Sequence, residues 1–331
     1  MGNKKGVVVF LHPLSADNTV WLIGRNESYV STFLDAEYEI WLPNWRGLRF
    51  SRGHIRKLSS LEYWNFSFHE IGLYDYSAIF KFVHSKTQRK VIAISHSMGS
   101  TALLIYASLK AEESKKFVKI FIPMGSAAYM THTLPLARLL SYGVPNIVQA
   151  WQRYSKVGAL FESHRSFQDF IKKVLLYWIA PIIVPFVPII ATGEPKMANP
   201  EYIPMTFSIS FQPICIKILY HYAQLMHNGN KFSMYDYGEK SNLKRYNSKE
   251  PPEYPLENIS VPVYVVYGTT DELGDVKDTE YLLEKLPESV KIYGKLKLEG
   301  YSHVDFLWAK DVKEKILQKL VKLLEKIYNS F

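Results

Sequence analysis

The chain has a single cysteine in 331 residues, which excludes an internal disulfide and a cysteine-based metal cluster. That residue, Cys215, lies in the apolar segment SFQPICIKIL, so we expect a buried and unreactive thiol. A chain of this length is nevertheless long enough to bury a sizeable hydrophobic core, as one large domain or as two smaller ones.

Blocks of like charge are also missing. The formal net charge is +9, but Asp and Glu are interleaved with Lys and Arg, as in KDVKEKILQKLVKLLEKIYNS near the C-terminus. Such alternation is typical of a solvated helix face. We therefore expect no nucleic-acid partner, and the basic excess favours solubility or a weak attraction to anionic surfaces.

The sequence as given predicts neither a signal peptide nor an uninterrupted membrane span. The N-terminus, MGNKKGVVVFLH, has no apolar leader before a strand-like run. Residues 174–191 are uncharged and approach the roughly 20 residues of a membrane helix, but Pro181, Pro185 and Pro188 would interrupt that helix. We predict that this run covers one end of a sheet or contacts a lipid surface transiently, without spanning a membrane.

What the chain does contain is a series of apolar, β-branched runs that alternate with helical patterns. Nearly continuous hydrophobicity is what a parallel strand buried on both faces requires, and the alternation is typical of an α/β fold with a mostly parallel sheet. Strands are predicted at 7–12, 38–43, 90–95, 118–124, 261–268 and 290–298. Helices are predicted around 69–85, 98–113, 277–286 and 309–329.

The alternation stops between Ser126 and the region of Glu250, where no clear strand is visible. We predict an α/β core formed by residues 1–125 and 250–331, with a mainly helical cap inserted at 126–249.

The segment KVIAISHSMGST, from Lys90 to Thr101, has the outline of a nucleophile elbow, G-x-S-x-G, with Ser95 in place of the first glycine. Such an elbow needs a buried strand, a tight turn and a helix, with small residues two before and two after the nucleophile. The flanking patterns and Gly99 meet this requirement, and serine is only slightly larger than glycine. Ser97 is therefore the candidate nucleophile; the alternative is a chance match in an ordinary loop.

A serine nucleophile needs a base and a carboxylate that orients the base. His96 adjoins Ser97, but neighbours on a tight turn point apart. In folds with this elbow the acid and then the histidine follow later in the chain, each after a strand. Asp271 and His303 follow the last two predicted strands and are the candidate acid and base. A surface aspartate and a histidine at the edge of the core are the alternatives.

An ester hydrolase also needs backbone N–H groups that hold the oxyanion. One donor should be the residue after the nucleophile, Met98, and the other should come from the loop after an early strand. In VVVFLHPLSADNTVW this loop begins at His12, which we expect to anchor it through a hydrogen bond. Pro13 has no N–H, so Leu14 is the candidate donor.

Several motifs, in the same order, resemble the acid lipase family, which includes gastric and lysosomal acid lipases. FLHPLSADNTVW is similar to the family's oxyanion stretch, and YEIWLPNWRGLRFSRGH to its W-L-x-N-x-R-G-x-x-x-S-x-x-H segment. EYWNFSFHEIGLYDYSAIFKFV resembles a helix of the family, and the segments around Asp271 and His303 resemble its acid and histidine loops. The resemblance covers nearly the whole chain.

The resemblance implies an α/β-hydrolase fold with a cap, and a serine ester hydrolase that cleaves neutral lipid esters such as triacylglycerols or sterol esters. The resemblance implies that Ser97 is the nucleophile that forms the acyl-enzyme, that Asp271 is the acid and that His303 is the base. The oxyanion amides would be those of Leu14 and Met98. No metal or organic cofactor is implied.

Besides Ser95 in the elbow, the chain departs from the family pattern at four motif positions and at its start. Pro13 stands where the family has glycine, Trp45 where it has a small residue, Met98 where it has glutamine, and Glu272 where tryptophan follows the acid. The family's signal peptide and its first two strands have no counterpart, so the strand at 38–43 would be an uncovered edge strand. A truncated N-terminus would imply a secreted or lysosomal protein, and an intact one a cytoplasmic protein.

Two other functions remain open. Pro13 and the missing N-terminal strands are compatible with a catalytically impaired protein that binds lipid or a partner on the same fold. A pocket of different shape would give a carboxylesterase for smaller substrates. Against the first alternative stands a complete triad in the expected order.

Overall fold

The computed structural model describes residues 4–160, 162, 199–202, 209 and 212–329. The apolar run at 174–191, which was predicted to cover the sheet or contact lipid, lies outside the described residues.

In the described residues, eight strands form one large sheet and one small antiparallel pair. They are β1 (Val7–Leu11), β2 (Glu39–Trp41), β3 (Val91–His96), β4 (Val118–Met124), β5 (Ala159–Leu160), β6 (Ile214–Cys215), β7 (Val265–Gly268) and β8 (Lys295–Leu298). The large sheet has the order β2-β1-β3-β4-β7-β8, and all its neighbouring strands are parallel. The predicted α/β fold with a mostly parallel sheet is confirmed, and each of the six predicted strands lies in this sheet.

The last two strands of the sheet begin later than predicted. Pro262 has no N–H to give to a ladder, and at this level only an isolated bridge joins Val263 to Phe121. Farther along, Glu288–Val290 form a 3-10 turn and Gly294 has a φ of +77°. The proline delays the start of β7 and the turns delay the start of β8, so both strands are about half as long as their apolar runs suggest.

Ten helices of at least seven residues accompany the strands in the described part of the chain. They are α1 (Tyr29–Asp35), α2 (Ser77–Thr87), α3 (Met98–Leu109), α4 (Ala111–Phe117), α5 (Pro135–Ser141), α6 (Val144–Ser155), α7 (Ile216–His227), α8 (Glu239–Tyr246), α9 (Val276–Lys285) and α10 (Gln318–Asn329). Two π-helical turns, Ile71–Tyr76 and Lys313–Leu317, lead directly into α2 and α10. The shorter helical segments are Asn18–Leu22, Arg25–Glu27, Ser60–Tyr63, Phe68–Glu70, Pro200–Tyr202, Leu256–Asn258, Glu288–Val290 and Asp305–Trp308.

Alternate residues of the sheet belong to two hydrophobic cores, one on each face. In β1, Val7, Val9 and Leu11 join the core that includes α2 and α3. Val8 and Phe10 join the core that includes α1 and α10. Both faces of the sheet are therefore covered, which explains why its strands read as continuous apolar runs.

Between β4 and β7 the described chain leaves the sheet and forms α5 to α8 with the small β5–β6 pair. We expected no strand in this region; two paired segments of two residues are too short to leave an alternating pattern in a sequence. The division into a core and a cap at residues 126 and 249 stays a prediction. Within the described residues, no helix is both long enough and apolar enough to cross a membrane.

Candidate active site

Ser97 occupies a sharp turn between β3, which ends at His96, and α3, which begins at Met98. Its backbone has φ 54° and ψ −124°, a combination that a residue with a side chain adopts only under strain. The Ser97 N–H donates to the Met124 carbonyl at 3.0 Å, which fixes the turn to the end of β4. The side chain remains partly exposed at this edge of the sheet. This is the strained strand-to-helix turn that a nucleophile elbow requires.

Ser95, which replaces the first glycine of the elbow, is fully buried and hydrogen-bonded. Its Oγ lies 3.0 Å from Ser100 Oγ. Ser100 Oγ in turn donates to the Met124 carbonyl and accepts from the Met124 N–H, both at 3.1 Å. The extra hydroxyl therefore fits the elbow and has a partner there.

Gly99, the second small residue of the elbow, lies against the chain that follows β1. A Cβ built on Gly99 would stand 2.6 Å from the carbonyl oxygens of both Leu11 and His12. Since backbone atoms cannot move aside easily, only glycine permits this approach. It brings the first turn of α3 next to the loop that contains Pro13 and Leu14.

Asp271 follows β7 and is buried. Its Oδ1 accepts hydrogen bonds from the N–H groups of Leu273, at 3.0 Å, and Gly274, at 2.8 Å. Burial alone would raise the pKa of this carboxyl, but the charge of His303 and the hydrogen bonds from His303, Gly274 and Leu273 outweigh burial, so the pKa of Asp271 is lowered. The carboxylate is thus held ionised.

His303 follows β8 and links Asp271 to Ser97. Its Nδ1 lies 3.0 Å from both carboxylate oxygens of Asp271, and its Nε2 lies 2.7 Å from Ser97 Oγ. The parallel pairing of β7 and β8 brings the acid and histidine loops to the same edge of the sheet. Gly125, with a φ of +51°, makes room for them: a Cβ there would lie 3.1 Å from Asp271 Oδ2.

A model of the alpha/beta hydrolase fold family matches residues 6–201. Gastric triacylglycerol lipase of Rattus norvegicus is 30% identical over 327 residues, which cover 97% of this chain and 80% of the relative. Human lipase member K is also 30% identical, over 332 residues and the same shares of the two chains. The chain belongs to the acid lipases of the α/β-hydrolase family.

Solved structures with the same fold are much more distant in sequence. The monoacylglycerol lipase of Paleococcus ferrophilus superposes with a TM-score of 0.55 at 15% identity, covering 97% of this chain and 95% of that one. A soluble variant of monoglyceride lipase from Saccharomyces cerevisiae gives 0.53 at 15% identity, with 98% and 88% covered. These structures establish the fold alone.

His96 supports the histidine loop, a role that the sequence did not predict. It is buried, and its Nε2–H donates to the His303 carbonyl at 2.9 Å. Burial, together with the charge of His303, lowers the pKa of His96 to about 3, so the ring stays neutral. His96 does not contact Ser97 Oγ through a hydrogen bond, in agreement with the expectation that it is not the base.

The loop after β1 is held by His12, which contacts Trp45 and the backbone of Pro13. The buried His12 ring stacks on Trp45 with 3.4 Å between centroids, and His12 Nδ1–H donates to the Pro13 carbonyl at 3.1 Å. Burial lowers the pKa of His12 to about 3. Trp45 is itself buried. Trp45, which departs from the family pattern, thus packs on His12, and His12 anchors the loop through the Pro13 carbonyl, as predicted.

The two candidate oxyanion donors belong to the two elements that meet at Gly99: Leu14 to the loop after β1, and Met98 to the start of α3. Leu14 is half-buried against the core beside the sheet. Met98 is the first residue of α3, so its N–H has no acceptor within the helix. The loop is also held from the other side, because Asn18 Nδ2 donates to the Leu42 carbonyl at 2.7 Å.

Glu272, which replaces the tryptophan after the acid, connects the acid loop to the start of α5 through its backbone. The Glu272 carbonyl accepts from the Leu134 N–H at 2.7 Å and from Thr133 Oγ at 3.0 Å. Next to this junction, His132 binds the buried Asp278 carboxylate through its N–H and its Nδ1.

An ion pair joins two of the segments that carry the family resemblance. Arg46, after β2, donates from Nε to Asp75 Oδ1 at 2.8 Å and from its backbone N–H to Oδ2 at 3.1 Å. Asp75 lies in the π-helical turn before α2, and this turn packs against α3. The pair thus fixes the segment after β2 to the helix layer that carries the elbow.

No group of three or more metal-binding side chains occurs among the residues that the structure describes. The single cysteine, Cys215, is buried, and its Sγ lies 2.7 and 2.8 Å from the carbonyls of Trp64 and Phe66. Burial raises the pKa of this thiol to about 11. The expectation of a buried thiol is confirmed.

Proposed function

We propose that the chain is a serine ester hydrolase that cleaves neutral lipid esters, such as triacylglycerols or sterol esters. The observation that supports this most directly is the chain of contacts from the partly exposed Ser97 Oγ through both ring nitrogens of His303 to the buried Asp271. The substrate class rests on the relatives, several of which are named triacylglycerol lipases. A secreted or lysosomal setting belongs to the same proposal, because gastric lipases of rat and human are among those relatives.

The first half of the reaction forms an acyl-enzyme. His303 Nε2 takes the proton from Ser97 as Oγ attacks the ester carbonyl, and the Asp271 carboxylate stabilises the imidazolium. The amides of Leu14 and Met98 donate to the oxyanion of the tetrahedral intermediate. The C–O bond then breaks, and His303 gives its proton to the departing alcohol.

The second half returns the enzyme to its starting state. His303 removes a proton from a water molecule that attacks the acyl carbonyl, and the proton passes to Ser97 Oγ as the carboxylic acid leaves. Three features prepare the site for this sequence. Asp271 is kept ionised by its hydrogen bonds, the Ser97 backbone is fixed by Met124, and α3 directs its N-terminus at the developing negative charge.

Labelling with a serine-reactive fluorophosphonate tests the nucleophile. We expect wild type to be labelled and Ser97→Ala to remain unlabelled. Ser95→Ala is the matched control, since it removes a buried serine hydroxyl two residues away and should keep the label. Folded wild-type protein that takes up no label would overturn the proposal and favour a lipid- or partner-binding protein.

A series of glycerol esters of increasing acyl length then tests the substrate. The proposal predicts that kcat/KM rises from short to long acyl chains, because each additional buried methylene stabilises the bound substrate by about 0.8 kcal/mol. A maximum at short acyl chains would instead assign the chain as a carboxylesterase for smaller substrates.

A further inference from the structure

A cleft of about 650 Å³ opens at the end of the sheet that lies opposite Ser97. The segments just before β3, β7 and β8 line it, together with the start of β4 and the end of α10. Because these neighbouring strands are parallel, their starts meet at one edge of the sheet, and the serine, acid and histidine loops follow their ends at the other. The cleft is therefore separate from the candidate active site. We call it the basal cleft.

The charged side chains that line the basal cleft are all positive. Of the twelve described residues in its lining none is aspartate or glutamate, and four are basic: Arg89, Lys90, Lys115 and Lys119. Lys115 has a carboxylate partner, because its Nζ lies 2.6 Å from Glu112 Oε1. Among the described residues, no carboxylate pairs with Arg89 or Lys90. The cleft thus gathers positive charge that its own lining does not neutralise.

The start of the chain holds the Arg89 guanidinium in place. Arg89 Nη1 donates to the Lys4 carbonyl at 2.6 Å, and Nη2 donates to the Lys5 carbonyl at 2.7 Å. These bonds use two of the five N–H groups that a guanidinium carries. Since a carbonyl is neutral, Arg89 keeps its full positive charge and further donors for an anion.

Lys119 is half-buried in the same cleft, and its Nζ lies 3.7 Å from the centroid of the Tyr328 ring. Burial, followed by the charges of Arg89 and Lys90, lowers the pKa of Lys119. The two neighbouring cations therefore lie close enough to repel its ammonium group. A bound anion would relieve this repulsion.

The rest of the lining is mostly apolar. Two phenol rings, Tyr293 and Tyr328, stand beside the cations, and Ile292 is 61% exposed at the same place. An inorganic ion would leave this apolar surface in contact with water. A ligand that joins an anionic group to an apolar or aromatic body would cover it, and such burial adds to affinity.

A phosphate group matches the cations of the basal cleft better than a carboxylate does. A phosphomonoester carries a charge of about −1.5 to −2 near pH 7 and three acceptor oxygens, so several cations can share it. A carboxylate carries one charge. Arginine and lysine are the side chains that bind phosphate in proteins, arginine through paired N–H groups and lysine as a point charge.

We propose that the basal cleft binds an organic phosphate, in which a phosphomonoester is attached to an apolar or aromatic body. Arg89, Lys90 and Lys119 contact the phosphate, and Tyr293 and Ile292 contact the body. Two sources present this chemistry: a soluble compound such as a nucleotide, and a lipid with a phosphomonoester headgroup. The proposal does not depend on the hydrolase function, because the site lies at the other edge of the sheet.

Isothermal titration calorimetry with dissolved probes tests the site and distinguishes the sources. The protein carries Ser97→Ala so that no ester is consumed. AMP represents the soluble source, and dihexanoyl phosphatidic acid, below its micellar concentration, represents the lipid. We expect at least one of them to bind more tightly than inorganic phosphate, and we expect adenosine, which lacks the phosphate, not to bind. Added salt should weaken the binding, because it screens exposed charges.

Two sets of variants locate the binding. Lys90→Gln/Lys119→Gln should weaken it by at least about tenfold, because each hydrogen bond to a charged group contributes a factor of ten or more. Lys240→Gln/Lys244→Gln, which removes two exposed charges from α8, is the matched control and should bind as the unsubstituted cleft does. Ile292→Asp should bind more weakly than Ile292→Asn, since the two side chains have the same shape and only the first repels the phosphate.

Three results would overturn the proposal. They are the failure of both AMP and dihexanoyl phosphatidic acid to bind, an affinity for both that is no higher than the affinity for inorganic phosphate, and unchanged binding by Lys90→Gln/Lys119→Gln. Binding of only one of the two probes supports the proposal and identifies the source.

Hydrolysis of a dissolved short-chain ester, measured with Ser97 present, separates this proposal from the function above. Without a phosphate ligand, Lys90→Gln/Lys119→Gln should hydrolyse the ester at the wild-type rate. Wild-type protein that hydrolyses no ester and still binds a probe through the basal cleft would refute the hydrolase function and leave the phosphate site in place.

Discussion

At the scale of single residues, the departures from the acid lipase pattern are accommodated by specific partners. Ser95 fills the position of a glycine and forms a hydrogen bond with Ser100. Trp45 fills the position of a small residue and stacks on His12. In both cases the additional atoms contact residues of the same site.

The first prediction concerns Ser95→Gly, which restores the residue of the family pattern. The change removes a buried hydrogen bond, worth about 0.5–1.5 kcal/mol, and adds the backbone freedom of glycine, which costs about 0.5–1 kcal/mol. We expect the free energy of unfolding, measured in urea, to fall by the sum of these effects while ester hydrolysis is retained.

Ser95→Ala separates the two contributions, since it loses only the hydrogen bond. A Ser95→Gly variant that is more stable than wild type would show that the Ser95 hydroxyl does not stabilise the folded protein.

The second prediction follows from the lowered pKa of Asp271. A carboxyl whose folded-state pKa lies below its ordinary value of about 3.9 stabilises the folded protein above that pH, and this stabilisation is lost as the pH falls through the lowered pKa. Wild type should therefore exceed Asp271→Asn in unfolding free energy by about 1–3 kcal/mol near neutral pH. The difference should shrink below about pH 4.

Urea titrations at a series of pH values measure this difference in unfolding free energy. A difference that stays constant across the acidic range would contradict its attribution to the lowered pKa of Asp271. The same variant should lose about four orders of magnitude in kcat, because the histidine is no longer held and stabilised by a carboxylate.

At the scale of secondary-structure elements, the site depends on how closely α3 approaches the loop after β1. Gly99 is the point of contact, and the contact is with backbone carbonyls. The helix start and the loop carry the two proposed oxyanion donors, so a displacement of one element relative to the other changes the geometry at which they meet a substrate.

The third prediction is that Gly99→Ala damages both stability and catalysis. A Cβ at 2.6 Å from two carbonyl oxygens forces α3 or the loop to move, which should cost about 1–3 kcal/mol of unfolding free energy. The displaced amides should lower kcat more than they raise KM, because they act on the oxyanion.

Gly53→Ala is the matched control. A Cβ there meets no atom within 4 Å, so both stability, within about 0.5 kcal/mol, and activity should be unchanged. Gly99→Ala with wild-type kcat would refute a role for this close approach.

At the scale of the whole molecule, the sheet combines strands from the two ends of the chain and leaves β2 at its edge. β4 pairs with β7 across more than a hundred intervening residues, while β2 has a neighbour on one side only among the strands of the described residues. An unpaired edge invites pairing with another chain. β2 is short, at three residues, and Glu39 places a charge on it, two features that oppose such association.

The fourth prediction is that Glu39→Val promotes self-association. The substitution adds a residue of high β-propensity and removes the charge from the edge. Sedimentation velocity over a range of concentrations should detect oligomers that wild type does not form. Glu284→Val, on the exposed side of α9, serves as the control, and equal association of the two variants would locate the cause in general hydrophobicity instead of the strand edge.

The sequence by itself determined which segments form the buried strands, because apolar runs flanked by turns express a local requirement for burial. It contains the elbow motif around Ser97, and it fixes the order of serine, aspartate and histidine along the chain. It also indicated the family, since several motifs recur in one order.

Only the tertiary structure decided the strand order, the late starts of β7 and β8, and the contact of His303 with both Asp271 and Ser97. Only the structure paired Trp45 with His12 and showed that several large apolar side chains of α5 and α6 are exposed. The physical reason is the separation, along the chain, of the residues that interact. Periodicity and turn chemistry act between neighbours in the chain, whereas strand pairing, stacking and exposure depend on residues that folding alone brings together.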